Sequence, residues 1–344
     1  MCYNIYVNSH EIPWEKRRWP QRLALVLAVV LTLTTAFHLI KPLLFRPIDN
    51  PEWGVSFSIF YARELGVDPQ ANLDALLDDM GIRNFRLMSP WSESEKIRGQ
   101  YDFTDLDWQI AAVAQRGGHV SLAVGLRQPR WPECHAPEWA RTTDDWQVKL
   151  YGYIAAVVER YHDNPAVTSW QLENEYKNSY FGECTQFGAD PGRAMDEMEI
   201  IRERSDKPVY MSLSDQVGLP LNEPTPDGYG MSIYGRFFWH GLYLKYPDFE
   251  WWHRGRSALI KLTKDRDTFV HEFQLEPWGP EATIYLNEAE QDKTMNAAMI
   301  PERLDYARRL GMREIYLWGG EWWYWRLTNG DDSIWNAVRD GIKN

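Results

Sequence analysis

The sequence predicts an α/β fold, a (β/α)8 TIM barrel preceded by a single apolar helix able to cross a membrane. Three observations carry this reading. From residue 54 onward, short apolar or β-favouring runs alternate with helical stretches eight times over. The runs that read as the fourth and seventh strands both end on carboxylates, in Trp170-Gln171-Leu172-Glu173-Asn174-Glu175 and Thr268-Phe269-Val270-His271-Glu272-Phe273. Ahead of them, Leu23 to Ile40 runs for eighteen residues without Asp, Glu, Lys or Arg.

Eighteen apolar residues are just enough to span a bilayer core of about 30 Å as a helix. Lys16, Arg17, Arg18 and Arg22 stand directly before the run. The positive-inside bias therefore places residues 1–22 in the cytoplasm, 23–40 in the membrane as an anchor, 41–53 as a linker and 54–344 outside the cytoplasm. A cleaved signal peptide is the rival reading. Its apolar region is usually shorter and ends in an Ala-x-Ala-like site, which Thr34-Thr35-Ala36 imitates weakly.

The elements follow in order. Val55–Phe60 reads as the first strand. Asp68 then caps a helix with Pro69 in its first turn and Gly81 as its stop. Asn84–Met88 is the second strand, followed by a helix over Leu106–Arg116 that Gly117-Gly118 closes. Val120–Gly125 is the third strand, Trp146–Tyr161 a helix and Val167–Leu172 the fourth strand. Arg193–Arg204 is helical and Pro208–Leu213 the fifth strand. The Pro-rich loop Leu219–Asp227 leaves little room for a helix before the sixth strand, Gly230–Tyr234. A helix over Arg256–Thr263, the seventh strand at Thr268–Phe273, a helix over Ile300–Leu310 and the eighth strand at Glu314–Trp318 follow. Ser333–Ile342 closes the ring. Regular alternation of this kind argues for a parallel barrel rather than an open sheet.

Composition narrows the chemistry. The 344 residues carry a net charge of −12, and the first fifty hold six Lys or Arg against three Asp or Glu. Residues 51–344 therefore carry −15. So acidic a domain would repel nucleic acid. Eighteen Trp and eighteen Tyr supply many aromatic faces, which suit the C–H faces of sugar rings. No metal is expected, because His271-Glu272 lacks a following His at zinc-site spacing and no Cys/His cluster occurs. There is no Gly-rich phosphate loop and no nucleophile elbow, so no cofactor is expected.

Chemistry in such barrels sits at the C-terminal strand ends. The residues there are Arg86, Trp91, Arg127, Asn174, Glu175, Tyr234, Glu272, Trp318 and Glu321. Two carboxylates from separate strands are what glycosidic bond cleavage needs: one protonates the leaving oxygen and the other attacks or activates water. Glu173 competes with Glu175 for the first role, and Glu276 with Glu272 for the second.

Over residues 54–325 the chain resembles the clan of retaining glycoside hydrolases built on (β/α)8 barrels. That clan includes the family-five cellulases and mannanases and the family-forty-two β-galactosidases. Four motifs in order carry the resemblance: Arg86 ending the second strand, Asn174-Glu175 the fourth, Glu272 the seventh and Trp318 the eighth. Gly99-Gln100-Tyr101-Asp102-Phe103 is similar to the segment such enzymes carry after strand two, whereas Tyr176 stands where many have Pro.

The resemblance implies that Glu175 is the acid/base and Glu272 the nucleophile, their carboxyls about 5–5.5 Å apart. It places Arg86, Trp91, Asn174, Tyr234, Trp318 and Glu321 around a carbohydrate substrate. Trp318 would floor the site, with Trp91, Trp278 and Trp322 as further candidates. A non-catalytic carbohydrate-binding barrel and a transglycosylase remain the alternatives.

Cys134 follows the third strand and Cys184 the fourth. Loops after neighbouring barrel strands emerge side by side, and an exported domain keeps disulfides, so the two are expected to pair. Cys2, on the cytoplasmic side, is expected to be a free or lipidated thiol.

Overall fold

The computed structural model of the protein describes residues 14–44, 47–178, 181–213 and 218–343. Cys2, and with it most of the expected cytoplasmic segment, lies outside the described residues. The chain divides into two compact units, 1–46 and 47–344.

In the first unit, one helix spans Trp14–Leu44, and within it the window Trp19–Ala36 is long and apolar enough to cross a membrane, with none of it buried. At 1.5 Å per residue these eighteen residues reach roughly 27 Å. The helix starts before the apolar run because Lys and Arg are themselves good helix formers.

The second unit is a closed barrel of eight parallel strands, each paired with its sequence neighbours and the last with the first. They are Glu52–Phe57, Asn84–Met88, His119–Val124, Val167–Leu172, Val209–Ser212, Gly228–Ile233, Asp267–Gln274 and Glu314–Trp318. Buried positions run consecutively along each strand rather than alternating, as expected when helices cover the outside and side chains fill the inside. The second, fourth and eighth strands have the bounds read from the sequence. The first begins earlier, at Glu52, and ends at Phe57, because Ser58 caps a short helix over Ile59–Glu64.

Close approach fixes one residue. A Cβ on Gly230 of the sixth strand would lie 2.2 Å from the ring of His271 on the seventh, so that position accepts no side chain.

Among the described residues no helix separates the fifth and sixth strands, as the Pro-rich loop predicts. Two elements are not legible in the sequence. A hairpin of Arg236–Trp239 and Leu242–Lys245 follows the sixth strand, turning through His240 and Gly241 at φ 46° and 85°. His-Gly gives a weaker signal for such a turn than Asn-Gly or Asp-Gly. After the eighth strand a helix covers Gly320–Thr328, a stretch from which the sequence offers only Glu321 and Trp322 as site candidates. The helix before the seventh strand spans Glu250–Lys264 rather than starting at Arg256, and Asp265 caps it in the left-handed conformation.

Candidate functional site

The fourth strand stops at Leu172, and the turn beyond it gives two carboxylates different surroundings. Glu173 and Glu175 both take positive φ, 54° and 43°, which costs a residue with a Cβ about 1–2 kcal/mol each. The turn is held by hydrogen bonds. Glu173 N–H donates to Val124 O at 3.0 Å, Asn174 N–H to Arg127 O at 2.8 Å, and Glu175 N–H to Ser212 Oγ at 2.7 Å. The Glu173 carboxylate turns back under the third-strand loop. There it accepts the N–H groups of Leu126 and Arg127 at 2.8 and 2.9 Å. The chain does not stay extended, so Glu173 and Glu175 face different surroundings: Glu173 braces a loop, while Glu175 is left beside the seventh-strand carboxylate.

Glu272 ends up in a prepared socket. Arg86 Nη1 donates to its Oε1 at 2.7 Å and the Tyr234 hydroxyl to its Oε2 at 2.8 Å, one donor for each oxygen. Arg86 is fully buried and is itself positioned by Asn174, whose Oδ1 accepts from Nη2 at 2.7 Å, and by Gln171. Ser212 Oγ donates to the same Asn174 oxygen at 3.0 Å. Asn174 therefore ties the two carboxylates together: its side chain positions the arginine of one, and its peptide precedes the other.

The electrostatics separate the pair. Burial first, and the charge of Glu272 second, push the Glu175 carboxyl up to about 7. Asn178 Nδ2 donates to Glu175 Oε2 at 2.7 Å and opposes the rise. Burial and the Glu272 charge also hold the Tyr234 phenol well above its usual value, so it remains a donor. Two acids of one type thus sit in unlike surroundings: Glu175 is raised by burial and by its neighbour's charge, whereas Glu272 has a hydrogen-bond donor on each oxygen.

Around this centre the expected residues divide. Trp318 faces Arg130, whose guanidinium lies 4.0 Å from the Trp318 ring and 3.8 Å from the Tyr61 ring. Arg130 also pairs with Glu276 and, at 3.2 Å, with Glu321. Glu276 is thereby taken up by Arg130, in a different contact set from Glu272. Glu321 is fully buried, accepts the Ser58 N–H, and is raised to about 7 chiefly by burial.

Trp91 and Trp322 are not brought to the mouth. Trp91 is buried against Trp139 and Tyr153 with its indole N–H on Glu95 Oε2. Trp322 is buried with its N–H on Gln291. Composition alone does not distinguish these packing rings from exposed ones. Trp278 is half-exposed and meets Tyr234 edge-on. Sequence reasoning missed Arg130, Glu133, Asn178 and Ser212. Glu133 is buried against Arg127 and Asn174, and burial pushes its carboxyl well up.

Cys134 and Cys184 are bonded, with Cα atoms 5.2 Å apart, joining the loops after the third and fourth strands. Among the described residues no group of three or more His, Cys, Asp or Glu is placed to hold a metal ion.

Solved structures share this architecture. Endo-glycoceramidase II from Rhodococcus sp. matches 79% of this chain and 73% of its own at a TM-score of 0.52 and 17% identity. A family-10 endo-β-1,4-xylanase from Gloeophyllum trabeum matches 87% and 100% at 0.55 and 16% identity. At these identities the likeness is one of fold, the barrel on which the glycoside hydrolases of the sequence resemblance are also built. A β-galactosidase of Clostridium cellulovorans is 27% identical over 120 residues, 29% of this chain and 18% of that protein. One of Halorubrum lacusprofundi is 26% identical over 122 residues, 30% and 17% respectively. The chain thus spans less than a fifth of the length of these curated relatives. No known protein-family model matches it.

Proposed function

We propose that the protein is a retaining β-glycosidase, held to a membrane by its N-terminal helix and acting on oligo- or polysaccharide outside the cytoplasm. The observation that carries this reading is the unlike pair at the ends of the fourth and seventh strands. Glu272 has a donor on each oxygen, whereas Glu175 is raised to about 7 beside it. Glu175 starts protonated and gives its proton to the glycosidic oxygen as the bond breaks. Glu272, oriented by Arg86 and Tyr234, attacks the anomeric carbon and forms a glycosyl-enzyme. Glu175, now a carboxylate, takes a proton from water, which displaces Glu272 and restores both groups.

Arg130 backs one face of Trp318. In this reading the other face of Trp318 stacks on the reacting sugar. The β-galactosidases that match part of the chain and the barrel glycosidases that share its fold support the assignment. The anchor rests on the length and composition of the apolar helix and on the basic residues that precede the apolar run.

The test uses the full chain in detergent against a panel of aryl β-glycosides. Hydrolysis with retained anomeric configuration is expected, Glu272→Gln should abolish it, and Glu175→Ala should lose far less on substrates with good leaving groups. Wild-type-like turnover by Glu272→Gln would sink the assignment. Transfer of the sugar to an added alcohol in preference to water would make the protein a transglycosylase using the same two residues.

A further inference from the structure

A strip of aromatic rings leads outward from the nucleophile's socket, and bond cleavage by Glu175 and Glu272 makes no use of its outer members. Tyr234 meets Trp278 at 5.0 Å between ring centroids, Trp278 meets Phe181 at 5.9 Å, and Phe181 meets Trp131 at 5.8 Å. Successive planes turn by 77°, 52° and 76°, so the rings meet edge to face or tilted rather than in a stack, and each presents its exposed part in a different direction. Trp278, Phe181 and Trp131 are 36%, 37% and 61% exposed, in a barrel that buries Trp91, Trp170, Trp322, Trp323 and Trp335 almost completely. Adjoining exposed aromatic rings beside a buried polar centre mark a binding surface.

The strip is also braced. Trp131 and Phe181 each stand three residues before a cysteine of the Cys134–Cys184 bridge. Glu183 N–H donates to Pro132 O at 2.9 Å, and Arg127 Nη1 donates to Phe181 O at 3.3 Å. Ordering these rings on binding therefore costs less than it would on free loops.

We propose that Trp131, Phe181 and Trp278 bind the leaving-group side of the substrate, and that what they bind is a sugar residue. The proposal rests on the reading of Glu175 as acid/base. An acid must reach the leaving oxygen, so the departing portion lies against the loop that carries Glu175, and Phe181 belongs to that loop. Aromatic rings turned in different directions suit the C–H faces of successive sugar rings. An acyl chain would instead be matched by a continuous aliphatic trough.

The experiment compares three substrates carrying one glycone on the full chain in detergent: a β-glycosyl fluoride, an oligosaccharide and an n-octyl β-glycoside. The fluoride has no leaving group for the strip to hold. For Phe181→Ala and Trp278→Ala, the ratio of kcat/KM on the oligosaccharide to that on the fluoride should fall at least about tenfold, the loss of one well-packed aromatic contact. Trp131→Ala, at the outer end, should lower it less. Equal losses on oligosaccharide and fluoride would overturn the proposal, and so would a loss confined to the octyl glycoside. Failure of the wild-type chain to turn over the fluoride would instead remove the glycosidase reading beneath it.

Discussion

Arg86 and Glu272 form an ion pair at 2.7 Å with side chains 0% and 3% exposed. Neither charge has water to fall back on. Removing one partner of such a pair leaves the other uncompensated and costs about 3–5 kcal/mol, far more than an exposed pair would. Arg86→Met is therefore expected to lower unfolding free energy by that amount in denaturant melts. Arg86→Met with Glu272→Gln should lose less than the two single changes added together, because the second change removes the stranded charge. Strict additivity would mean that the pair is not coupled.

The Glu175 carboxyl gives a pH dependence whose sign is fixed. Its folded value of about 7 lies above the ordinary 4.5, so the folded state holds the proton more tightly. The associated stability is fully present below about pH 4.5 and is lost as pH rises through about 7. Relative to Glu175→Gln, the wild type should lose on the order of 3 kcal/mol across that interval. The kcat/KM profile should fall on its alkaline side with an apparent value near 7 that belongs to the coupled pair. Asn178→Ala should move that limb upward, since Asn178 favours the charged form. A profile flat from pH 5 to 9 would contradict the assignment.

Legibility in the sequence differs by residue. The second, fourth and eighth strands and the helix Trp146–Tyr161 are legible because apolar runs there end at clear turn signals. The position of Glu175 follows from the fourth run, and that of Glu272 from the apolar run of the seventh strand. The different surroundings of Glu173 and Glu175 turn on two left-handed residues, and backbone φ leaves no periodic trace. Arg130 is invisible for a related reason. It stands at φ 76° and reaches Tyr61, Trp318, Glu276 and Glu321, which lie far from it in sequence. Trp91 and Trp322 defeat the sequence reading because burial of a tryptophan depends on which helix covers it.

The Cys134–Cys184 bridge closes a loop with a sequence separation of 50. On the chain-entropy model, a loop of that size restricts the unfolded chain by about 4 kcal/mol. The Cys134→Ala/Cys184→Ala variant should unfold at correspondingly lower denaturant, and the oxidised wild type should show no accessible thiol at either position. An unchanged midpoint would mean that the loops hold together without the bond.

Among the described residues, Arg130 is the cation that pairs with both Glu276 and Glu321, two carboxylates shielded from solvent. In the wild type its charge opposes the rise of the Glu321 carboxyl, which burial and Glu276 push up to about 7. In Arg130→Met that opposition vanishes, so Glu321 should keep its proton to higher pH. The folded value then lies further above the unfolded one, and the stability tied to the proton is lost as pH rises through the new, higher value. The variant should therefore carry a deficit already near pH 5, where Glu276 loses its partner while Glu321 is neutral in both, and that deficit should widen steadily through pH 7–9. Arg130→Lys should recover part of the loss by restoring the charge, though not the fork that reaches both carboxylates or the flat contact with Tyr61 and Trp318. Thermal melts of the two variants at pH 5 and pH 8.5 decide the matter. A deficit equal at both values would mean that Arg130 does not hold down the Glu321 carboxyl.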